Sequence, residues 1–394
     1  MNKALENITI IDLTQVLAGP TCTRLFSEMG ANVIKIEPPG GGYERNKMGS
    51  SNDERLRYRY ACINRNKKNV TLNLKTSNAK EIFFKLIEKG DVVVSNYSVG
   101  VMESFGLDYE TVKKRNPRIV YCTISGFGQD GPYKDYPAYD SIIQAACGFF
   151  SINGFPDKPP CRVGVSIIDY FGGLFAALNI MFALHFKNLT GQGQMIDVSL
   201  YDVACQMNLD HLAPAIDKGK QLPRQGNRHP ISCPSGIFTT KDGKYLFLTQ
   251  QTEKQWQSMT KIIGRKGIAV WGLTERLEKH RDEVEEVVQD WVKTQTLEEA
   301  LAILRREKLP CSPVNGILDI LSDPQSISRG NFISVEDDLG IIDNVHGVAV
   351  KLSLTPGKVE WGYVKAGKHN EEVYGKMLGY TREQIAELEK EGII

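Results

Sequence analysis

The 394-residue chain lacks most of the features that assign a protein quickly. Its eight cysteines (Cys22, Cys62, Cys122, Cys147, Cys161, Cys205, Cys233 and Cys311) form no CxxC pair, which removes the usual ligand spacing of zinc and iron–sulfur sites. There is no surplus of charge: 48 basic residues face 47 acidic ones, for a formal net charge of +1. No overall field favours nucleic acid or an anionic membrane. The N-terminal MNKALENITIIDL passes straight into a strand pattern without the apolar core of a secretion signal. The longest apolar stretch, Phe171 to Leu184, is broken by Gly172, Gly173 and Asn179 and falls short of the roughly 20 residues a bilayer span needs. We expect a cytoplasmic protein with reduced thiols, no metal, no membrane and no nucleic-acid partner.

What is present is the texture of an α/β protein. Ile8–Leu13, Asn32–Glu37, Val70–Leu74, Asp91–Asn96, Arg118–Ser125 and Gln194–Leu200 read as short apolar strands. Helical patterns separate them: Pro20–Met29 ending at Gly30, Ala79–Lys89 with Ile82, Phe83, Leu86 and Ile87 on one face, and Tyr109–Arg115. Strands alternating with helices predict βαβ units and a parallel sheet covered on both sides. Tyr170–Phe186 is apolar all round and predicts a core helix. Near Gln221 the texture changes. A hairpin is expected over Phe238–Leu248 around Asp242-Gly243, followed by helices Thr252–Ile263, Arg281–Lys293 and Thr296–Glu307. The last helix is expected at Thr381–Lys390, with Thr381 as its N-cap. The length exceeds one ordinary core. The expected fold is therefore a Rossmann-like, doubly wound parallel sheet in a discontinuous large domain (1–200 and 330–394) plus a small α+β domain (225–325), with linkers 201–224 and 326–329.

A Rossmann-like opening does not imply a dinucleotide. The first strand–helix turn is Gln15-Val16-Leu17-Ala18-Gly19-Pro20, with one glycine where GxGxxG needs three, so NAD is not expected. No GxxxxGK[ST] loop is present. Gly40-Gly41-Gly42 follows a strand but leads into polar residues, as a flexible turn would.

VLAGP (16–20), GANVIKIEPPGG (30–41), NRNKKNVTLNLK (64–75), PAYDSIIQAACG (137–148), RVGVSIIDYFGG (162–173), TGQGQMIDVSLYD (190–202), GNRHP (226–230), PCSPVN (310–315) and DPQSISRGNF (323–332) together resemble the family III CoA-transferases, also called the CaiB/BaiF family. The segments run in one collinear order over nearly the whole chain. The resemblance implies that Asp169, before the double glycine, is a covalent nucleophile. It would exchange CoA between an acyl-CoA and a free carboxylic acid through an aspartyl-CoA thioester, with coenzyme A entering as substrate. By pattern alone Asp169 also reads as a helix N-cap. Gly172 and Gly173 would let backbone approach the reacting carbonyl and offer N–H groups to an oxyanion, with Gln15 and Tyr139 assisting. Val16, Leu17, Ala18, Leu72, Lys75, Asn96, Tyr97 and Tyr139 match the family's CoA contacts. Pro38, Ser98, Ser104 and Pro137 stand where some members carry basic or other phosphate-binding residues, so the CoA phosphates must be held by other groups. Arg65, Lys67 and Lys68 read as a solvated charged loop, or alternatively as phosphate contacts. The loop around Cys233–Gly236 is the nearest candidate for a cover, and Arg162 for meeting a second carboxylate. Tyr139, Tyr170, Phe149 and Phe150 suggest an apolar wall.

The same resemblance leaves two alternatives. A racemase of the superfamily would need a histidine base where this chain has Tyr139, and a phenol at ordinary pKa is a poor base. A non-catalytic CoA-binding protein would have lost Asp169. The family also implies an interlocked homodimer. Small mono- or dicarboxylic acids of the oxalate/formate branch are the expected substrates.

Overall fold

The computed structural model describes residues 3–47 and 54–394. Six parallel strands form one sheet in the order β3-β2-β1-β4-β5-β6. They are β1 Thr9–Asp12, β2 Asn32–Glu37, β3 Lys68–Thr71, β4 Val92–Ser95, β5 Val120–Ser125 and β6 Met195–Ser199. Ile10, Ile11, Ile34, Val70, Val92, Val93, Val94 and Val120 are all fully buried, as strands covered on both faces must be. The strand order reverses between β1 and β4, so the loops leaving those two strands diverge and open a crevice at their C-terminal ends. Helix α1 (Ala18–Glu28) leaves β1 and ends at Met29, with Gly30 at φ 96 just beyond it.

The chain divides into two compact units. The larger comprises Met1–Gly148, Val163–Leu209 and Asp323–Ile394, and the smaller Phe149–Arg162 and Asp210–Ser322. This moves the expected borders. Residues 149–162 join the smaller unit because Arg224 donates to the carbonyls of Phe155 and Lys158, and the Gly226 amide donates to Gly154 at 3.0 Å. The Leu200–Gln206 and Pro324–Arg329 helices stay with the larger unit instead of acting as linkers. In the smaller unit β7 (Ser235–Thr239), β8 (Tyr245–Thr249) and β9 (Cys311–Pro313) form an antiparallel sheet. Helices Glu253–Ile263, Arg281–Lys293 and Leu297–Arg306 supply its core, with Trp256, Met259, Val284, Val288 and Leu304 buried. Thr252, Thr296 and Thr381 each form a capping box at the start of their helix.

The expected core helix differs most. It runs from Ile167 to Thr190, 24 residues, and only one face is buried. Gly172, Gly173, Ala176, Ala177, Ile180 and Ala183 belong to that face, and the helix packs against α1. On the opposite side Leu174, Leu178, Phe182 and Leu189 are 46, 51, 60 and 73% exposed. By length and composition the helix is long and apolar enough to cross a bilayer. Its small-residue face makes it a wall of the larger unit.

The contact with α1 needs glycine. A Cβ on Gly173 would lie 2.6 Å from the Ala18 carbonyl oxygen and 3.0 Å from Thr21 Cβ. A Cβ on Gly172 would lie 2.2 Å from Leu200 Cδ2. Gly173→Ala gains helix propensity of up to ~1 kcal/mol, yet is expected to destabilise the protein by about 1–3 kcal/mol through overpacking. Gly267→Ala, with open space around its Cβ, serves as the neutral control in urea unfolding.

Candidate functional site

The turn after β1 is held from three sides. The Gln15 amide donates to Asn96 Oδ1 at 2.8 Å, and Asn96 Nδ2 returns a bond to the Gln15 carbonyl at 2.7 Å. The Val16 amide donates to Glu44 Oε1, and the Val16 carbonyl accepts from Arg59 Nη2 at 3.3 Å. Val16 has φ 67, a left-handed conformation that costs a β-branched residue about 1–3 kcal/mol. These bonds fix a backbone that Val16 would not choose by itself. At the start of α1 the cap residue Leu17 offers no side-chain acceptor. Pro20 has no N–H, so the amides of Ala18 and Gly19 stand uncapped at the positive end of the helix dipole.

Asp169 is the third residue of the Ile167–Thr190 helix, not its N-cap. Ser166 occupies the cap position and its carbonyl accepts from the Tyr170 amide at 3.3 Å, but its side chain makes no capping bond. A residue from elsewhere does the capping: Asp140 Oδ2 accepts from the Ile168 amide at 2.8 Å and the Asp169 amide at 3.3 Å. Asp140 is 4% exposed, and its other oxygen accepts from Gln144 Nε2 at 2.5 Å. The Asp169 carboxyl is pushed up to about 7, first by burial and then by the Asp140 charge, with the Arg59 guanidinium pulling it back down.

Asp169 opens on a cavity of about 520 Å³ at the β1/β4 crevice. Gln15, Val16, Leu17, Ala18, Asn96, Tyr97 and Tyr139 line it, so eight expected site residues, Asp169 included, are brought to one place. A second cavity of about 280 Å³ is lined by Leu72, Lys75 and Lys35. Gln15, Tyr43 and Tyr97 belong to both, so the two cavities adjoin. Lys75 is an exposed cation at the second cavity, and Tyr139 is 63% exposed at the first. Asn96 lines the cavity, but its carboxamide is committed at both ends to the Gln15 backbone.

Several expectations are corrected. Gly172 and Gly173 lie inside the helix, where their N–H groups serve the helical ladder, so they pack against neighbours and have no amide to give an oxyanion. Arg65 and Lys67 are 1 and 0% exposed, neither a solvated loop nor a phosphate site. Arg65 pairs with Glu28, and Lys67 with Asp12 at 3.0 Å. Lys68 pairs with Glu372 at 2.9 Å. Cys233–Gly236 is buried where β7 begins, so it is core and no cover. Arg162, Phe149 and Phe150 fall in the smaller unit, and Tyr170 is outside the lining of the Asp169 cavity.

Three residues that hold Asp169 or the β1 turn are not found by sequence reasoning: Asp140, Arg59 and Glu44. Only Asp140 carried a signal, an acid at the first position of a helix with Gln144 one turn on. Asp140→Asn keeps the acceptor oxygen but removes the like charge, so the Asp169 carboxyl should titrate below about 7 while burial still holds it above the ordinary carboxylate range. A carboxyl NMR titration checks this, and Asp140→Ala should further cost about 1 kcal/mol through the lost cap.

The sequence profile of CoA-transferase family III matches residues 5–370. A succinyl-CoA–D-citramalate CoA-transferase of Chloroflexus aurantiacus is 32% identical, over 100% of this chain and 98% of that one. A succinate–glutarate CoA-transferase of Agrobacterium fabrum is 32% identical over 95% of each. A formyl-CoA:oxalate CoA-transferase of Streptomyces avermitilis is also 32% identical, over 100% of both. The crystal structure of a CaiB/BaiF family protein from Brucella suis superposes with a TM-score of 0.83 at 28% identity, covering 96% of this chain and 100% of that one. A carboxylate in a crevice beside a strained β1 turn thus sits in a chain whose whole length matches one family: the protein belongs to CoA-transferase family III.

Proposed function

We propose that the protein moves CoA from an acyl-CoA to a free carboxylic acid through a thioester on Asp169. The observation that carries this reading is the placement of Asp169 in the crevice, half-buried and pushed up to about 7, beside the uncapped start of α1. An Asp169 oxygen attacks the acyl-CoA carbonyl. The C–S bond breaks, CoA leaves as thiolate with the electron pair, and a mixed anhydride remains. The thiolate attacks the aspartyl carbonyl of that anhydride, expelling the donor acid as its carboxylate and leaving an Asp169–CoA thioester. The acceptor carboxylate attacks this thioester, and the released thiolate attacks the acceptor's acyl carbon. New acyl-CoA forms and Asp169 is regenerated as carboxylate. No proton is gained or lost over the cycle. Each addition puts negative charge on a carbonyl oxygen, and the Ala18 and Gly19 amides are suited to stabilise it.

The two adjoining cavities support one extended ligand, with the acyl end at Asp169 and the nucleotide end toward Leu72 and Lys75. Lys75 would meet a phosphate. The acids named for the relatives, citramalate, glutarate and oxalate, support a small dicarboxylic acid as substrate. The exposed apolar row Leu174, Leu178, Phe182 and Leu189 supports a homodimer, which we propose to be interlocked.

Incubation with an acyl-CoA followed by hydroxylamine should give a hydroxamate on the Asp169 peptide, read by mass spectrometry. Asp169→Asn should abolish it and lower turnover by roughly 10⁴-fold or more. Only the ionised carboxylate attacks, so the rate should rise with pH through about 7. Absence of any adduct, with deuterium exchanging into the acyl α-carbon, would replace the transfer reading with a racemase. Sedimentation should show a dimer even at nanomolar protein, and a monomer there would remove the interlocked arrangement.

A further inference from the structure

Among the described residues, the lining of the Asp169 cavity contains one cation, Lys134. The other charged residues of the lining are Asp135 and Asp169, both acids. The remaining cations near the site serve elsewhere. Arg57 pairs with Asp337, Arg45 with Glu37 and Arg65 with Glu28. Arg59 donates to the Val16 carbonyl and is not part of the lining. Lys35 is buried and donates to the Thr14 carbonyl, and both it and Lys75 belong to the adjoining cavity. Lys134 is exposed. Among the described residues no carboxylate oxygen lies within 4.0 Å of its ammonium, and no side-chain hydrogen bond holds it.

The backbone that carries this lysine is braced. The Tyr136 amide donates to the Tyr133 carbonyl at 2.9 Å, so Lys134 and Asp135 form the tip of a tight turn. The Tyr133 and Tyr136 rings stack with centres 5.2 Å apart, and Phe127 meets both edge-on. A Cβ on Gly126 would lie 2.4 Å from Ala138 Cβ, so the two arms of the loop touch where only glycine fits. Two residues after Ala138, Asp140 accepts from the Ile168 and Asp169 amides. The short segment 134–140 thus has the cation at one end and the cap of the Asp169 helix at the other. A second carboxylate entering this cavity meets two acids of its own sign and, at Lys134, one opposite charge. We infer that Lys134 is a specificity-determining residue, whose ammonium takes the distal carboxylate of a dicarboxylic substrate with its reacting carboxyl at Asp169. The inference rests on the CoA-transfer reading. Lys134 takes the place expected of Arg162, which belongs to the smaller unit. A compact charge on a flexible stem can follow short diacids of different length. A CoA phosphate offers the same anionic chemistry, and the test separates the two sources.

The test compares succinyl-CoA with butyryl-CoA, two four-carbon acyl groups that differ in carboxylate against methyl at the far end. The readout is the rate of the hydroxylamine-trapped Asp169 adduct, expressed as the ratio of the two kcat/KM values for that half-reaction. CoA is common to both donors, so the loss of a phosphate contact cancels in the ratio. The unaltered protein should favour succinyl-CoA by about 10-fold, the lower end of a hydrogen bond to a charged group, because Lys134 is exposed. Lys134→Met should bring the ratio close to one, and Lys134→Glu should push it below one. Lys134→Arg, which keeps the charge, should keep most of the preference. A ratio that Lys134→Met leaves unchanged, or no preference in the unaltered protein, overturns the inference and leaves the transfer reading standing. No adduct from either substrate on the unaltered protein overturns both. Reductive methylation of the unaltered protein gives a second measurement that does not depend on a variant folding. With CoA present, added succinate should slow labelling of Lys134 several-fold, read by mass spectrometry, and added butyrate should not. Protection by CoA alone would assign Lys134 to a phosphate and overturn the inference, as would equal labelling with the two acids.

Discussion

The site depends on one close approach, the backbone of the Ile167–Thr190 helix against the first turn of α1. Gly173 faces the Ala18 carbonyl at a distance no side chain allows. One helical turn earlier is Asp169, and one residue before Ala18 begins the turn that lines the cavity. The spacing between glycine contact and carboxylate therefore delivers the carboxylate to the β1 turn. Packing two helices this tightly is an ordinary use of small residues, and here its effect is positional. What the double glycine contributes to the site is what it lets touch, not amides that it donates.

The other half of the frame is electrostatic and lies beneath the β1 turn. Asp12 and Lys67 are fully buried and 3.0 Å apart. Burial opposes the charge on Asp12, but Lys67, Lys35 and the hydroxyls of Thr14 and Thr23 outweigh it and hold its carboxyl below the usual range. Burial pushes Lys67 down to about 8 against the pull of Asp12. Lys35 donates to the Thr14 carbonyl at 2.7 Å, and Lys67 reaches Asn64 Oδ1 at 2.8 Å. A buried pair of this kind is weak evidence for stability, since desolvation offsets much of the attraction. What it fixes is direction: β1, β2 and the segment before β3 are tied at the end where the cavity opens. With Asn96 and Glu44 it lets Val16 keep a strained conformation.

The strands and the small-unit helices were legible because local signals decide them. Apolar runs of four to six residues, Asp242-Gly243, and threonines before helical patterns need no distant partner to be read. The collinear motifs also made Asp169 legible. The Glu54–Ile63 helix was not, because ERLRYRYACI has no clean apolar face and draws its partners from residues about 280 positions away, such as Asp337. For the same reason Arg59 carried no signal. Arg65 and Lys67 misled because a basic run looks solvated until its buried carboxylates, Glu28 and Asp12, are known. The capping of one helix by Asp140 from another is equally invisible in a linear pattern.

The opposing charges around Asp169 bear on the direction of the proposed chemistry. In the mixed anhydride the thiolate has two carbonyls to attack and two carboxylates to expel. The better leaving group is the one whose acid is stronger. An ordinary carboxyl titrates near 4, whereas burial and Asp140 push Asp169 to about 7. The substrate acid is then the better leaving group, so attack at the aspartyl carbonyl, which gives the enzyme thioester, is favoured over return to the starting acyl-CoA. The same shift makes ionised Asp169 a stronger nucleophile than an ordinary carboxylate, while leaving about half of it protonated near neutral pH. Arg59 limits that loss by favouring the charged form. The capping acid and the unpaired guanidinium thus act in opposite senses on one carboxyl. Burial raises the carboxyl before either charge acts, so the two neighbours adjust the balance between nucleophile and leaving group around a value that the cavity itself sets.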